Sequence, residues 1–266
     1  MKDRVKRGYE GAFSDHVQHY DQFGYRFQDR AARVQLEGLP FHSLHVLDVG
    51  CGTGALAQDS IEQGSREVVC GNIAGFMLEE ARRKVGPDQR DRAFNQLDAE
   101  SLPYQNNAFD AVVSGMSFGL LPNQEQAIAE MIRVAKRGGL VCIGAHGPEH
   151  YWEAIDACFR CVPKQYIIGD RLAWWPRPEG YIRGLLEQAN LDEIHSKWVV
   201  WRNKFASGAD AYDFFAAISA SWWYAKFPPD KILKDSLRTR EYFDRKNINV
   251  ITDDIVVAYG RKPFAK

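Results

Sequence analysis

The stretch Leu44 to Gln58, LHVLDVGCGTGALAQ, constrains the fold more than any other part of the chain. Leu44, Val46, Leu47 and Val49 form a short apolar run with β-branched members, the pattern of a strand buried on both faces of a parallel sheet. The run ends in Asp48, Gly50, Gly52 and Gly54 at alternate positions. Glycines there let the backbone turn sharply and approach a ligand closely, because no Cβ blocks the way. A helix starting near Ala55 then aims free N–H groups and its positive dipole end at whatever sits in the turn. Spacing narrows the ligand. The dinucleotide fingerprint G-x-G-x-x-G and the phosphate loop G-x-x-x-x-G-K-S/T are both disfavoured by Gly50-Cys51-Gly52-Thr53-Gly54 with no lysine after it.

The rest of the chain reads as alternating strands and helices. Arg66 to Asn72 predicts a second strand, Ala74 to Val85 a helix, Asp91 to Leu97 a third strand and Ala108 to Ser114 a fourth. Gln124 to Lys136 predicts a helix stopped by Gly138-Gly139, with a fifth strand over Leu140 to Ala145. Beyond His146 the chain is loaded with large aromatics. Helices are expected near 149–162, 179–190, 209–219 and 229–245, a sixth strand near Glu193 to Arg202 and a last strand over Asp254 to Gly260. In an open parallel sheet ligands gather at the carboxyl ends of the strands, which would bring Asp48, Asn72, Asp98, Ser114 and His146 to one cleft.

Charge and cysteines exclude several classes of function. Lys+Arg 34 against Asp+Glu 35 gives a net charge of -1, so a general affinity for nucleic acid is not expected. The opening MKDRVKRGYE has no apolar signal segment, and no apolar run reaches membrane-spanning length, so a cytoplasmic protein without membrane insertion is expected. The five cysteines lack the spacing of a disulfide framework; Cys51, Cys70 and Cys142 read as buried thiols beside core strands. Cys158 and Cys161 form a lone C-x-x-C without a partner pair, so one face of a helix is expected there and no metal site.

The segment D-V-G-C-G-T-G resembles the first signature of the class I S-adenosylmethionine-dependent methyltransferases. Asp98-Ala99-Glu100-Ser101-Leu102-Pro103-Tyr104 and FDAVVS with its following helix are similar to the family's later segments. The likeness covers roughly Tyr20 to Ala145 plus the last strand, and is nearest to the small-molecule, quinone-biosynthesis-like branch. It implies an α/β fold: a doubly wound, Rossmann-like, mainly parallel seven-stranded sheet with an antiparallel last strand. A single domain over 1–266 is implied, with a helical lid in 1–40, a cofactor-binding core in 41–147, acceptor-pocket helices and the sixth strand in 148–250, and the closing strand in 251–266. The implied cofactor is S-adenosyl-L-methionine, with S-adenosyl-L-homocysteine as product. Around it the resemblance places Tyr20, Asp48, Gly50, Cys51, Gly52, Asn72, Ile73, Met77, Asp98, Ala99, Glu100 and Ser114. Asn72 departs from the family, which has an acid there to accept both ribose hydroxyls; an amide oxygen accepts without charge and so more weakly.

The implied partner is a small-molecule acceptor, methylated on oxygen, nitrogen, sulfur or carbon, and the family leaves room for a homodimer. Methyl transfer needs no metal, since positioning supplies much of the rate. If the acceptor is a hydroxyl or thiol, His146 is the first candidate for a base, with a pH limb near neutrality. His150 follows it, with Trp174, Trp175, Trp222 and Trp223 as substrate-facing candidates through stacking or cation–π contact. Each has a structural alternative: a helix-capping histidine, or tryptophans that fill the core, as Tyr20 has in packing alone. Two rival functions stay open, a non-catalytic cofactor-binding or regulatory protein on the same fold and a non-methylating use of the same cofactor.

Overall fold

The computed structural model describes residues 27–86, 92–161, 178–216 and 229–264. Seven strands form one sheet in the order β3-β2-β1-β4-β5-β7-β6, where β1 is His45–Val49, β2 Glu67–Asn72, β3 Arg92–Gln96, β4 Phe109–Ser114, β5 Ala135–His146, β6 Asp192–Lys204 and β7 Val250–Arg261. Strands β1 to β5 pair in parallel, and β7 runs antiparallel to both of its neighbours. The order reverses between β1 and β4, which puts a crevice at their carboxyl ends.

The helices are α1 Phe27–Leu36, α2 Ala55–Glu62, α3 Gly75–Val85, α4 Gln124–Val134, α5 Trp152–Cys161, α6 Tyr181–Gln188, α7 Gly208–Phe215 and α8 Pro229–Arg245. One sheet face is covered by apolar side chains of α1, α2 and α3, including Phe27, Leu36, Leu56 and Leu78. The other is covered by α4 and α6 through Ile128, Met131, Ile182 and Leu186. A third cluster, Tyr151, Ala154, Phe205, Tyr212, Phe215 and Phe243, joins α5, α7 and α8 beside the sheet. Cys158 and Cys161 lie on the buried face of α5, and all five cysteines are buried free thiols. Among the described residues no helix is long and apolar enough to cross a membrane, and no cluster of three or more His, Cys, Asp or Glu is arranged to hold a metal.

Two boundaries differ from the sequence reading. Helix α4 ends at Val134, and Ala135 already pairs with Phe109, whereas the next pair is Ala111 with Leu140. Residues 136–139 are therefore a bulge in β5 and not the end of a helix, with Gly138 at φ 70 making the turn. Helix-favouring side chains in this stretch lose to strand pairing, a tertiary choice that local propensity cannot report. Strand β7 also begins four residues early and carries Asp253 and Asp254, both buried, in its middle.

Helix α1 closes over the carboxyl ends of β4 and β5. Gln35 Nε2 donates to the Ser114 carbonyl at 2.9 Å, and Lys84 pairs with Asp29 at 2.6 Å. That ion pair is partly exposed and is worth about 0–1 kcal/mol. Burial of Phe27 and Leu36, at 1% and 0% exposure, contributes about 1.5–3 kcal/mol each, so apolar packing seats the helix and the charges orient it.

Candidate functional site

The glycine turn after β1 is pinned to its neighbour strand: the N–H groups of Gly50 and Cys51 both donate to the Gly71 carbonyl, at 2.7 and 2.9 Å. Gly50, Gly52 and Gly54 have φ of 73, 56 and 89, conformations that L side chains rarely adopt. Their surroundings separate their roles. A Cβ on Gly50 would stand 2.4 Å from Ser117 Oγ, and one on Gly54 would stand 2.7 Å from Val85 Cγ2, so these two serve packing. A Cβ on Gly52 would meet no protein atom within 4 Å. Gly52 faces open space, which is a cavity of about 230 Å³ at the strand ends.

Asp48 lines this cavity from the end of β1 and is completely buried. Neither of its carboxylate oxygens has a hydrogen-bond partner. Burial pushes its carboxyl up to about 7, and the Ala57 N–H at the start of α2, near it but outside hydrogen-bond geometry, offsets that only in part. Across the cavity, Asn72 Oδ1 accepts from the Ala74 N–H at 2.9 Å, which fixes the amide and starts α3. The oxygen expected to serve a ligand is thus already engaged, and the Asn72 amide nitrogen lies beside the Cys51 thiol. Ile73, Met77, Asp98 and Ala99 line the same wall. The Asp98 loop is shaped by its own contacts: Asp98 Oδ1 accepts from the Glu100 N–H at 3.0 Å.

Two sequence candidates do not reach the cavity. Ser114 Oγ donates to the Val49 carbonyl at 2.8 Å and ties β4 to β1 beneath it. Glu100 Oε1 accepts from the Asn123 N–H at 2.9 Å and ties the Asp98 loop to α4. The loop is further braced by Arg133, which donates to the carbonyls of Leu102 and Tyr104 at 2.9 and 2.7 Å while paired with Glu130. Arg133 in turn holds Glu130 below the usual carboxylate range. Tyr20, Trp174, Trp175, Trp222 and Trp223 lie outside the described residues.

The far wall holds His146, His150 and Tyr151, with Phe27 of α1 above them. The rings of His146 and His150 are 4.2 Å apart and those of His150 and Tyr151 4.0 Å apart. Burial lowers the His146 pKa to about 4, and burial together with neighbouring His146 lowers that of His150. Both are neutral at physiological pH. His146 is accordingly a weak base, and a pH limb of its own falls near 4, which corrects the expectation of one near neutrality. Tyr151, Phe27 and Gln35 were not singled out from the sequence. Each reaches the cavity through long-range contacts that no local pattern encodes.

Residues 47–143 match the family described as a methyltransferase domain. The match covers about a third of the chain, and over it the chain is similar to that family. A ubiquinone/menaquinone biosynthesis C-methyltransferase from Coxiella burnetii is 41% identical over 103 residues, covering 37% of this chain and 41% of the relative. A biotin biosynthesis bifunctional protein from Saccharophagus degradans is 31% identical over 146 residues, covering 55% of this chain and 26% of the relative. The aligned part spans less than half of either relative. The solved structure of a Haemonchus contortus phosphoethanolamine N-methyltransferase, in complex with phosphomonomethylethanolamine and S-adenosylhomocysteine, shares the fold at TM-score 0.59 and 15% identity. That likeness covers 93% of this chain and 57% of the other. The matched stretch contains the glycine turn, Asp48, Asn72 and Asp98, whereas His146, His150 and Tyr151 lie just past its end.

Proposed function

We propose that the chain binds S-adenosylmethionine in this cavity and transfers its methyl group to a small organic acceptor. The observation that carries the reading is the unpartnered, buried Asp48 carboxylate beside a glycine whose Cβ position is empty. A buried carboxylate without a partner is costly unless a cation or donor completes it, and the ammonium of the cofactor's amino-acid end is such a cation. Bound there, the cofactor supplies an electrophilic methyl on a sulfonium. Asp98 and the Ala99 amide offer an acceptor and a donor to the adenine edge, and Asn72 faces the ribose. Met77 and Ile73 supply apolar contact to the adenosyl group.

On the acceptor side the described lining has rings and aliphatic groups, and its charged side chains, Asp48 and Asp98, sit at the cofactor end. Among the described residues no lysine or arginine lines the cavity. A carbon acceptor of the kind named for the Coxiella relative fits this setting. Rate enhancement rests on holding the acceptor near the methyl carbon and excluding water. His146 contributes a neutral ring nitrogen to that wall.

Calorimetry with S-adenosylhomocysteine tests the cofactor assignment, and Asn72→Asp makes the test specific. One carboxylate oxygen keeps the Ala74 N–H, and the other replaces the amide nitrogen and accepts from the ribose. Binding should tighten by about 1–2 kcal/mol. Unchanged or weaker binding would place the ribose elsewhere.

A further inference from the structure

The segment joining β5 to α5 is fastened to β7 at every second residue. The Gly147 N–H donates to the Asp254 carbonyl at 3.4 Å, the Glu149 N–H to Asp254 Oδ2 at 2.9 Å and the Tyr151 N–H to the Thr252 carbonyl at 2.7 Å. Trp198 Nε1 donates to the same Asp254 oxygen at 2.8 Å, which immobilises that carboxylate. Tyr151 sits at φ 53, a left-handed conformation that is an outlier for a bulky side chain and persists only where its surroundings enforce it. Its ring lies edge-on to Phe215 at 5.7 Å, and its hydroxyl donates to Asp253. The strained residue and the zipped segment together hold the His150 ring between Phe27, His146 and Tyr151.

The same fastening fixes the His150 tautomer. The Asp254 backbone N–H donates to His150 Nδ1 at 3.3 Å. A backbone amide has only a proton to give, so Nδ1 is the unprotonated nitrogen and Nε2 of the neutral ring carries the hydrogen. His150 lines the cavity, and the hydrogen bond seen on its ring among the described residues is the one at Nδ1. Resting on the methyltransferase reading, we propose that His150 Nε2–H is the hydrogen-bond donor that positions an oxygen of the methyl acceptor, and that the β7 backbone at Asp254 sets its tautomer. The acceptor therefore presents a hydrogen-bond-accepting oxygen, such as a carbonyl or phenolic oxygen, to this wall. His150 orients and does not remove the proton, because the ring nitrogen opposite the Asp254 contact already carries one. The groups around it are His146 from β5, Asp253 and Asp254 from β7, Tyr151 from its own segment and Phe27 from α1.

The test uses the whole chain with S-adenosylhomocysteine for spectroscopy, and with methyl-labelled S-adenosylmethionine plus a small-molecule cell extract for turnover. Long-range proton–nitrogen NMR of ring-labelled histidine should show His150 neutral at pH 7 with its hydrogen on Nε2. His150→Gln places an amide N–H near the Nε2 position, and His150→Leu places none. Gln should retain most of the labelled product, whereas Leu should lose about tenfold and need more extract for half-saturation, the scale of one missing hydrogen bond to a buried partner. S-adenosylhomocysteine should bind all three proteins alike. A hydrogen on Nδ1, an imidazolium at pH 7, or a Leu variant equal to the Gln variant overturns this proposal alone. Absence of labelled product from all three proteins overturns the methyltransferase reading and this proposal with it.

Discussion

Gly52→Val abolishes S-adenosylhomocysteine binding, lowering affinity by about 100-fold or more, while the chain still folds. The reasoning separates this glycine from its neighbours. A Cβ on Gly50 or Gly54 would strike Ser117 or Val85, so substitution there damages packing before it touches a ligand. On Gly52 no protein atom lies within 4 Å of the added carbon, so the side chain enters only the volume the cofactor needs. A 100-fold loss corresponds to about 2.8 kcal/mol, the scale of a side chain filling volume the ligand needs. The φ of 56 adds backbone strain of about 1–3 kcal/mol, visible as a lower melting temperature. Calorimetry beside a thermal melt separates the two effects. A folded variant that binds as wild type does would remove Gly52 from the cofactor site.

Asp48→Asn is expected to weaken cofactor binding and, in the ligand-free protein, to increase stability at alkaline pH. Burial raises the Asp48 carboxyl from 3.8 to about 7. A raised folded-state pKa means that the favourable contribution is present below the unfolded value and is lost as pH climbs through the folded one. Between about pH 4 and 7 the wild type thus gives up stability that the uncharged variant keeps. One pKa unit corresponds to about 1.4 kcal/mol, and the buried amide without partners takes part of the gain back. A net advantage of about 1–3 kcal/mol at pH 8 over that at pH 5 should appear in urea unfolding. Cofactor binding should run the other way. The ammonium needs the ionised carboxylate, so wild-type binding below pH 7 releases a proton, detectable as buffer-dependent calorimetric heat, and Asp48→Asn loses both the proton and most of the affinity. Equal stability differences at the two pH values would show that Asp48 is not the strained, unpaired group described.

The central half of this architecture was readable because its signals are local. Apolar runs ending in small or polar residues mark β1, β2 and β4, the glycine spacing marks the turn between β1 and α2, and the Asp98 loop is marked by its resemblance to a family segment. What stayed hidden depends on pairings far apart in the chain. Lys136 to Gly139 read as a helix end because nothing nearby discloses that Ala135 pairs with Phe109 and Leu140 with Ala111. Asn72 read as a ligand acceptor because only the folded turn reveals that its oxygen starts α3. His146 read as a base with an ordinary pKa, since its complete burial beside His150 arises from the cover supplied by α1. Tyr151 reads only as one of the many large aromatics past His146, because the contacts that hold it come from Thr252 and Asp253, about a hundred residues away in the chain.

The account stands most directly on whether a methyl group leaves this cavity for an acceptor. The chain is incubated with S-adenosylmethionine carrying a deuterated methyl group and with a small-molecule extract of the host cell, and the mixture is read by mass spectrometry. The account predicts a product heavier by one labelled methyl group, formed together with S-adenosylhomocysteine and absent when Gly52→Val replaces the wild type. Cofactor bound tightly in calorimetry, with no labelled product in any extract fraction, would contradict it.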